Sequence, residues 1–258
     1  MQTHIEAKSS TDANFVEILG SAAIYLFRAF KDIFTGRIQV SMLVSRLVFI
    51  GYESILMIIA LCSIASMILT YNTAIELTSQ GGRELVGGLI AVADLREIVP
   101  IFVAFALAAR CGTALTAEIS TMTVTEQIDV LKVLKVDPVY FLLSPTLLAV
   151  IILTPLLLAI AIIVSLFSGM LIAKMVINLE FAEFLNSAWK YVGLKEYFYP
   201  LIKTEIFCIY SLLINVTMGL NCKGGAKEVG LATTKATALV IVGIIILDGL
   251  LTPILFID

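Results

Sequence analysis

Long apolar stretches separated by short polar segments are the dominant pattern along this chain. Four clear stretches cover approximately residues 47–71, 140–173, 201–218 and 236–257. A helix of about twenty residues rises ~30 Å, which matches the hydrocarbon thickness of a bilayer. A membrane-spanning β-barrel would instead show short segments of alternating polarity. The pattern therefore predicts an all-α integral membrane protein.

A further span, the second in chain order, is interrupted by charge. Only the uncharged residues 98–109 precede Arg110, and they supply about 18 Å of helix. We therefore expect this span to continue backwards through 94–97 or forwards past Arg110, so that charged side chains enter the membrane. With this span, the sequence predicts about five transmembrane helices.

The third stretch is too long for one straight span, and Pro145 and Pro155 provide a bend or a helix start. The residues that follow it, 178–200, are of mixed polarity and are predicted to form a loop. The sequence contains no internal repeat.

Residues 1–46 are predicted to form a cytosolic N-terminal segment. Within it, residues 15–34 carry apolar side chains on one helical face and charged side chains off it, which is typical of an interfacial (elbow) helix at the membrane surface. The first fifteen residues lack the order of a cleavable signal, and they are too short and acidic for a transit peptide. Residues 47–258 are predicted to form a single transmembrane domain.

The distribution of basic residues predicts the orientation. If the N-terminus is cytosolic, eleven of the 17 Lys and Arg residues fall on the cytosolic side and four on the other, with Arg96 and Lys203 inside the membrane. Cytosolic loops carry the excess of Lys and Arg in membrane proteins. Five spans then place the C-terminus on the opposite side. The four cysteines have no metal-ligand spacing, and a disulfide framework is not expected.

A polar segment, residues 118–138, lies between the second and third spans. Thr123 and Glu126 have the spacing of a capping box, which predicts a helix start. Apolar residues from Val124 to Leu134 recur on one side, and Asp137-Pro138 is expected to end the helix. Periodicity alone leaves two interpretations open, which are a helix that binds a partner and a helix that lies among the lipid headgroups.

Four charged residues, Arg96, Glu97, Lys203 and Asp248, fall within or beside the spans at similar predicted depth. An ionised group inside a bilayer costs a few kcal/mol or more, so these residues require partners or a function. One interpretation is a salt-bridge network that locks three helices. The other is the polar lining of a cavity for the headgroup of an amphiphile. The residues predicted to follow its tails are Ile98, Phe102 and Leu250.

A series of motifs runs in order along the chain from about residue 45. The motifs are LRE at 95–97 with Pro100, RCG at 110–112, AE at 117–118, Met122, TEQID at 125–129, VDP at 136–138, LIK at 201–203, GG at 224–225, VG at 229–230, ATTKA at 232–236, LD at 247–248 and LT at 251–252. In these motifs the chain resembles the MlaE/YrbE permease family, the membrane subunits of ABC lipid transporters that work with MCE proteins. Val99 stands where that family usually has glycine, and Cys111 where a small aliphatic residue is commoner.

The resemblance implies that residues 118–138 form a coupling helix that docks in a groove of a separate ATPase. The residues expected to carry this coupling are Glu118, Thr125, Glu126, Gln127, Asp129 and Asp137. The resemblance also implies that the Arg-Glu pair and the apolar positions after it line a lipid pocket between two permease copies, open toward the periplasm. The sequence has no glycine-rich loop ending in Gly-Lys-Ser/Thr, so ATP and Mg²⁺ are expected on the partner and no cofactor on this chain.

The predicted assembly is a homodimer with cytosolic ABC ATPase subunits and a periplasmic MCE-domain protein. It would move phospholipid in a bacterial inner membrane rather than in a plastid envelope. The chain itself is expected to catalyse no reaction and to bind no nucleic acid. One alternative is a self-contained secondary transporter or channel that uses the Arg96, Glu97, Lys203 and Asp248 side chains as an ion relay. An intramembrane enzyme is a weaker alternative, because the spans contain no histidine and no Ser or Cys beside a suitable base.

Overall fold

The computed structural model describes residues 15–36 and 38–256, with side chains from residue 17 onward. These residues are almost entirely helical, and no strand occurs among them. The helices are α1 (Phe15–Phe34), α2 (Val40–Ile50), α3 (Tyr52–Ser79), α4 (Val86–Ala93), α5 (Val99–Leu107), α6 (Thr113–Val124), α7 (Gln127–Val133), α8 (Ser144–Ile177), α9 (Phe181–Tyr191), α10 (Lys195–Leu220) and α11 (Ala226–Phe256). Three π-helical turns, Asp94–Ile98, Ala108–Gly112 and Val139–Leu143, join neighbouring helices.

The described residues contain five helical segments long and apolar enough to span a membrane, as predicted. They are Val40–Ser79, Arg83–Val124, Val139–Ile177, Lys195–Leu220 and Ala226–Phe256, and each is longer than the sequence pattern indicated. The second segment extends in both of the directions considered, backwards through the π-turn at 94–98 and forwards beyond Arg110. Polar residues continue these helices because a helix satisfies its backbone hydrogen bonds internally.

Two local predictions have different outcomes. The helix predicted over residues 15–34 is confirmed at these bounds, Phe15–Phe34, and its location at the membrane surface stays a prediction. The loop predicted over 178–200 is wrong, because α9 and the start of α10 occupy much of it. Pro155 lies inside α8, which is one continuous helix of 34 residues. Part of the predicted cytosolic segment, residues 1–14 and Arg37, lies outside the described residues.

The chain divides into two compact units, and it passes from one to the other five times. The first comprises residues up to Phe49, Ala108–Val150 and Ile209–Gly243, and the second comprises Ile50–Leu107, Ile151–Cys208 and Ile244 onward. The prediction of a single transmembrane domain over 47–258 stays a prediction.

In the first unit, α6 packs closely on the second half of α10. Thr116 donates a hydrogen bond to Asn215 Oδ1 (2.8 Å), and Thr123 donates one to the backbone oxygen of Gly219 (3.1 Å). A Cβ atom on Gly219 would lie 2.7 Å from the Cβ of Ile119, so glycine is required for this approach. This packing fixes the position of α6, the helix that contains the first residues of the 118–138 segment.

In the second unit, α4 and α9 approach at the backbone. A Cβ atom on Gly87 would lie 2.3 Å from the carbonyl oxygen of Phe184, and one on Gly88 would lie 2.2 Å from the Tyr191 ring. Ser187 accepts a hydrogen bond from the Gly88 amide and donates one to the Glu84 carbonyl oxygen. Two adjacent glycines thus provide the surface on which α9 forms, and small residues at such contacts are typical of membrane helices.

Candidate functional site

Lys203 on α10 is the centre of a buried charge cluster in the second unit. Its side chain is 0% exposed, and its Nζ lies 2.9 Å from Glu97 Oε2 and 2.6 Å from Asp248 Oδ1. The ammonium also donates to Thr252 Oγ1 (2.7 Å) and to the Arg96 carbonyl oxygen (2.9 Å). Thr252 in turn donates to Glu97 Oε1 (3.0 Å). A buried cation requires such a complete set of acceptors, because its desolvation costs several kcal/mol.

Arg96 pairs with an acid that the sequence argument missed. Its Nη2 donates to Glu196 Oε1 at 2.6 Å, and Glu196 Oε2 accepts from the Gly193 amide at 3.2 Å. The guanidinium also lies over the Phe256 ring, 4.6 Å from its centroid, an arrangement that favours a cation. Arg96 is therefore held by the first turn of α10 and by the end of α11.

The prediction that these charges meet is confirmed for Lys203 with Glu97 and Asp248. Glu196 joins the group as a third acid, which the sequence did not predict. Lys203 is fully buried, whereas the side chains of Arg96 and Glu97 are 33% and 36% exposed. The cluster therefore has a closed centre and an accessible edge.

The apolar residues predicted to follow the lipid tails are not buried together. Ile98 and Phe102 are half-buried on the π-turn and α5, where Phe102 meets Phe105 edge-on at 6.4 Å between ring centroids. Leu250 lies two residues after Asp248 on α11 and is exposed. These positions continue from the cluster along two helices, and their role in a lipid pocket stays a prediction.

Asp94 is a second buried acid, on the same π-turn as Arg96 and Glu97. Its Oδ2 accepts hydrogen bonds from Ser66 of α3 (2.6 Å) and from Ser165 of α8. Asp94 is 1% exposed. It therefore ties the turn that presents the cluster to two other helices. The sequence argument placed Asp94 in the span without identifying these partners.

One of the predicted coupling residues, Glu118, anchors the 118–138 segment within the first unit, and another, Asp137, makes weaker contacts at its end. Glu118 accepts two hydrogen bonds of 2.8 Å from Arg46, whose side chain is only 10% exposed. Such paired bonds are the strongest arrangement between a guanidinium and a carboxylate. Asp137 accepts from the Val139 amide at 2.9 Å and lies 3.9 Å from Arg28.

Glu118 and Asp137 are themselves exposed, and so are the other four coupling residues, Thr125, Glu126, Gln127 and Asp129. The Asp129 carboxylate lies 2.8 Å from Lys132 Nζ, but both side chains are more than half exposed, so this pair adds little stability. Three apolar side chains, Val130, Val133 and Leu134, are also exposed on this segment. Its outer surface therefore mixes acidic and apolar groups.

The capping box predicted at Thr123 and Glu126 is wrong. Thr123 lies inside α6, and its hydroxyl donates to the backbone oxygens of Ile119 and Gly219. Glu126 has φ 62°, in the left-handed region, and α7 begins directly after it without a side-chain cap. Helix α7 also ends at Val133, before Asp137. The segment is therefore a helix, a sharp turn and a short second helix.

Among the residues that the structure describes, no group of three or more His, Cys, Asp or Glu side chains could hold a metal ion. All four cysteine side chains are buried. Cys222 lies beyond α10, and burial raises the pKa of its thiol. These side chains offer no exposed thiolate nucleophile.

The described residues form five apolar helical segments with a cluster of charged side chains among them. An exposed polar segment connects the second and third helical segments. These features define a multi-pass membrane protein of the permease type. The family described as permease MlaE matches residues 43–254. The chain belongs to the MlaE permease family.

Curated relatives agree with this family. A probable ABC transporter permease protein of Synechocystis sp. is 31% identical over 91% of this chain and 90% of its own length. A probable ABC transporter permease protein of Rickettsia typhi is 28% identical over 94% of this chain and 93% of its own length. Protein TRIGALACTOSYLDIACYLGLYCEROL 1, chloroplastic, of Arabidopsis thaliana is 30% identical over 80% of this chain and 59% of its own length.

Proposed function

We propose that this protein is the membrane subunit of an ATP-driven phospholipid transporter and that the charge cluster binds the lipid headgroup. The observation that carries the proposal is the form of the cluster, in which a fully buried Lys203 supports a partly exposed Arg96 and Glu97. A guanidinium fits a phosphate by paired hydrogen bonds, and Glu97 can accept from a headgroup hydroxyl or ammonium. A fixed set of charges inside a membrane favours binding over a passive structural role.

The acyl chains of the lipid would lie along Ile98, Phe102 and Leu250. Leu250 and its α11 neighbours Ile246 and Ile254 are exposed apolar residues. Because a single chain leaves them uncovered, we place the lipid tails between two copies of the chain in a homodimer. A plant relative carries the name of a galactolipid, which supports a lipid as the transported molecule.

Energy for transport would come from a cytosolic ATPase that binds the 118–138 segment. The segment is anchored by the bond between Glu118 and the mostly buried Arg46, while Glu126, Gln127 and Asp129 are exposed. This arrangement suits a coupling segment, which is fixed to its own chain at one end and binds a partner through its exposed side chains. Nucleotide-driven closure of the ATPase would then squeeze the lipid site. The membrane subunit itself catalyses no reaction, and ATP and Mg²⁺ are bound by the partner.

On the other side of the membrane, the lipid would pass to or from an MCE-domain protein. We place the chain in a bacterial inner membrane with its N-terminus cytosolic, on the basis of its Lys and Arg distribution. Cysteine labelling tests this orientation, since the native cysteines are buried. A membrane-impermeant maleimide should label Val133→Cys from the cytosolic side and Leu194→Cys from the other side. The reverse pattern would overturn the assignment.

The proposal is tested by reconstituting the chain in liposomes with and without its ATPase and following transfer of a fluorescent phospholipid. Transfer should require both the ATPase and ATP. Transfer by the chain alone, driven by an ion gradient, would instead support the secondary transporter. Chemical conversion of the lipid by the chain alone would support the enzyme.

A further inference from the structure

A cavity lies beside α9 in the second unit. It has a volume of about 710 Å³, which is within the size range of small-molecule sites. Its walls come from α4 and its π-turn, from α8, from α9 and from residues 192–198, all within the second unit. Representative lining residues are Leu95, Leu166, Leu185, Trp189, Gly193 and Phe198, and none of the lining residues is charged. We call this cavity the α9 groove.

The rim of the α9 groove carries aromatic rings. Trp189 is 75% exposed, and Tyr197 also lines the groove and is exposed. Tryptophan and tyrosine concentrate where the hydrocarbon meets the headgroups. Two exposed lysines, Lys190 and Lys195, directly follow the lining residues Trp189 and Leu194 in the chain. The groove is thus apolar inside, with amphipathic aromatic rings at its rim, which suits an acyl chain whose headgroup lies at the interface.

The groove is also connected to the charge cluster. Gly193 lines the groove, and its amide donates to Glu196, the acid that holds Arg96. Leu95 lines the groove, and the next residue is Arg96 itself. A molecule in the groove therefore lies against the backbone that positions one edge of the cluster.

We propose that the α9 groove binds one acyl chain of a membrane phospholipid, with its phosphate beside Lys190 and Lys195. This lipid site belongs to each single chain and is separate from a pocket shared by two copies. It requires only a membrane environment, so it does not depend on ATP-driven transport.

The chain carries its own reporter for this site, because Trp189 is its single tryptophan. The full-length protein is purified in detergent and titrated with phosphatidylglycerol that carries a brominated acyl chain, since bromine quenches indole fluorescence on contact. Quenching should saturate at an equimolar ratio of lipid to protein. Phosphatidylglycerol without bromine should compete for the site and reverse the quenching.

Matched variants separate the groove from the general surface. Leu166→Gln places an amide in the groove wall, whereas Ile163→Gln changes an exposed residue of the same helix that does not line the groove. Gly193→Phe fills the groove from its rim, and a Cβ atom there meets nothing closer than 3.4 Å. We expect Leu166→Gln and Gly193→Phe to weaken the saturable quenching about tenfold, a loss of about 1.4 kcal/mol. Ile163→Gln should retain it.

Three results would overturn the proposal. Quenching that rises without saturation would mean that Trp189 meets lipid only incidentally. Equal quenching in Leu166→Gln and Ile163→Gln would place the lipid elsewhere. Absence of quenching would mean that a second copy or another chain covers the groove. Because no ATPase is present in this experiment, each result is independent of the transport assay.

Discussion

The charge cluster and the 118–138 segment use similar residues in opposite ways. In the cluster, Lys203 is fully buried and bridges α10 to the π-turn and to α11. In the segment, the Lys132–Asp129 pair joins two residues of one short helix, with side chains 60% and 65% exposed. Removing one partner of a buried ion pair is costly because the other charge is left unpaired, whereas exposed pairs contribute little. Charge therefore stabilises the fold in the cluster and contributes little to it at the exposed part of the segment.

The largest effect should come from Lys203→Met. This change leaves the half-buried Glu97 and Asp248 without their cation, and the expected loss in the free energy of unfolding is about 3–5 kcal/mol. The protein should lose its monodisperse peak in fluorescence-detected size exclusion or show a strongly lowered Tm. A variant as stable as the native protein would contradict the contrast between the two regions.

A triple variant separates fold from function at the cluster. Lys203→Met combined with Glu97→Gln and Asp248→Asn removes the unpaired charges, because the three neutral side chains have similar volumes to the native ones. Replacing a complete buried ionic group is often neutral for stability. We expect stability to recover while bound lipid, measured by mass spectrometry, remains lost. Normal lipid content in the triple variant would mean that these charges do not bind the headgroup.

A moderate effect is expected at the anchor of the segment, with an internal comparison. Glu118→Ala leaves the mostly buried Arg46 without its two hydrogen bonds, at a cost of about 1–3 kcal/mol. Glu126→Ala changes an exposed carboxylate and should alter stability by about 0.5 kcal/mol or less. Thermal unfolding of both variants measures the difference. Equal shifts in Tm would mean that the segment is not divided into anchor and exposed surface.

The smallest effect concerns the backbone at Glu126. Its φ of 62° suits glycine, so Glu126→Gly should stabilise the chain by about 1 kcal/mol, and Glu126→Val should destabilise it by a similar amount. Because glycine preserves the turn but removes the carboxylate, the same variant tests whether shape or charge binds the ATPase. If Glu126→Gly still binds the ATPase and Glu126→Val does not, the ATPase recognises the shape of the turn rather than the carboxylate.

Much of the fold could be predicted from the apolar pattern because a membrane span has a fixed length and composition. The pattern missed α9, since that helix depends on the close approach of Gly87 and Gly88 to its backbone. It also placed a capping box at Thr123, whose hydroxyl instead bonds within α6 and to α10. Both errors arise from tertiary contacts between residues far apart in sequence.

The cluster could be predicted in part for the same reason. Charged residues in apolar spans are conspicuous, so Arg96, Glu97, Lys203 and Asp248 were identified. Glu196 was missed because it lies in a polar stretch where an acid is unremarkable, although it is two helical turns before Lys203. Thr252 is one turn after Asp248, and its hydroxyl gains its role only through Lys203 and Glu97.

The most direct measurement is recovery of the ATPase with the purified chain after charge reversal on the exposed surface. Glu126→Lys with Asp129→Lys should abolish co-purification of the ATPase while the chain remains monodisperse. A matched control, Glu180→Lys with Glu183→Lys, reverses two exposed acids around α9 and should retain the ATPase. Undiminished ATPase recovery with the first variant would contradict the assignment of the 118–138 segment as the ATPase-binding part.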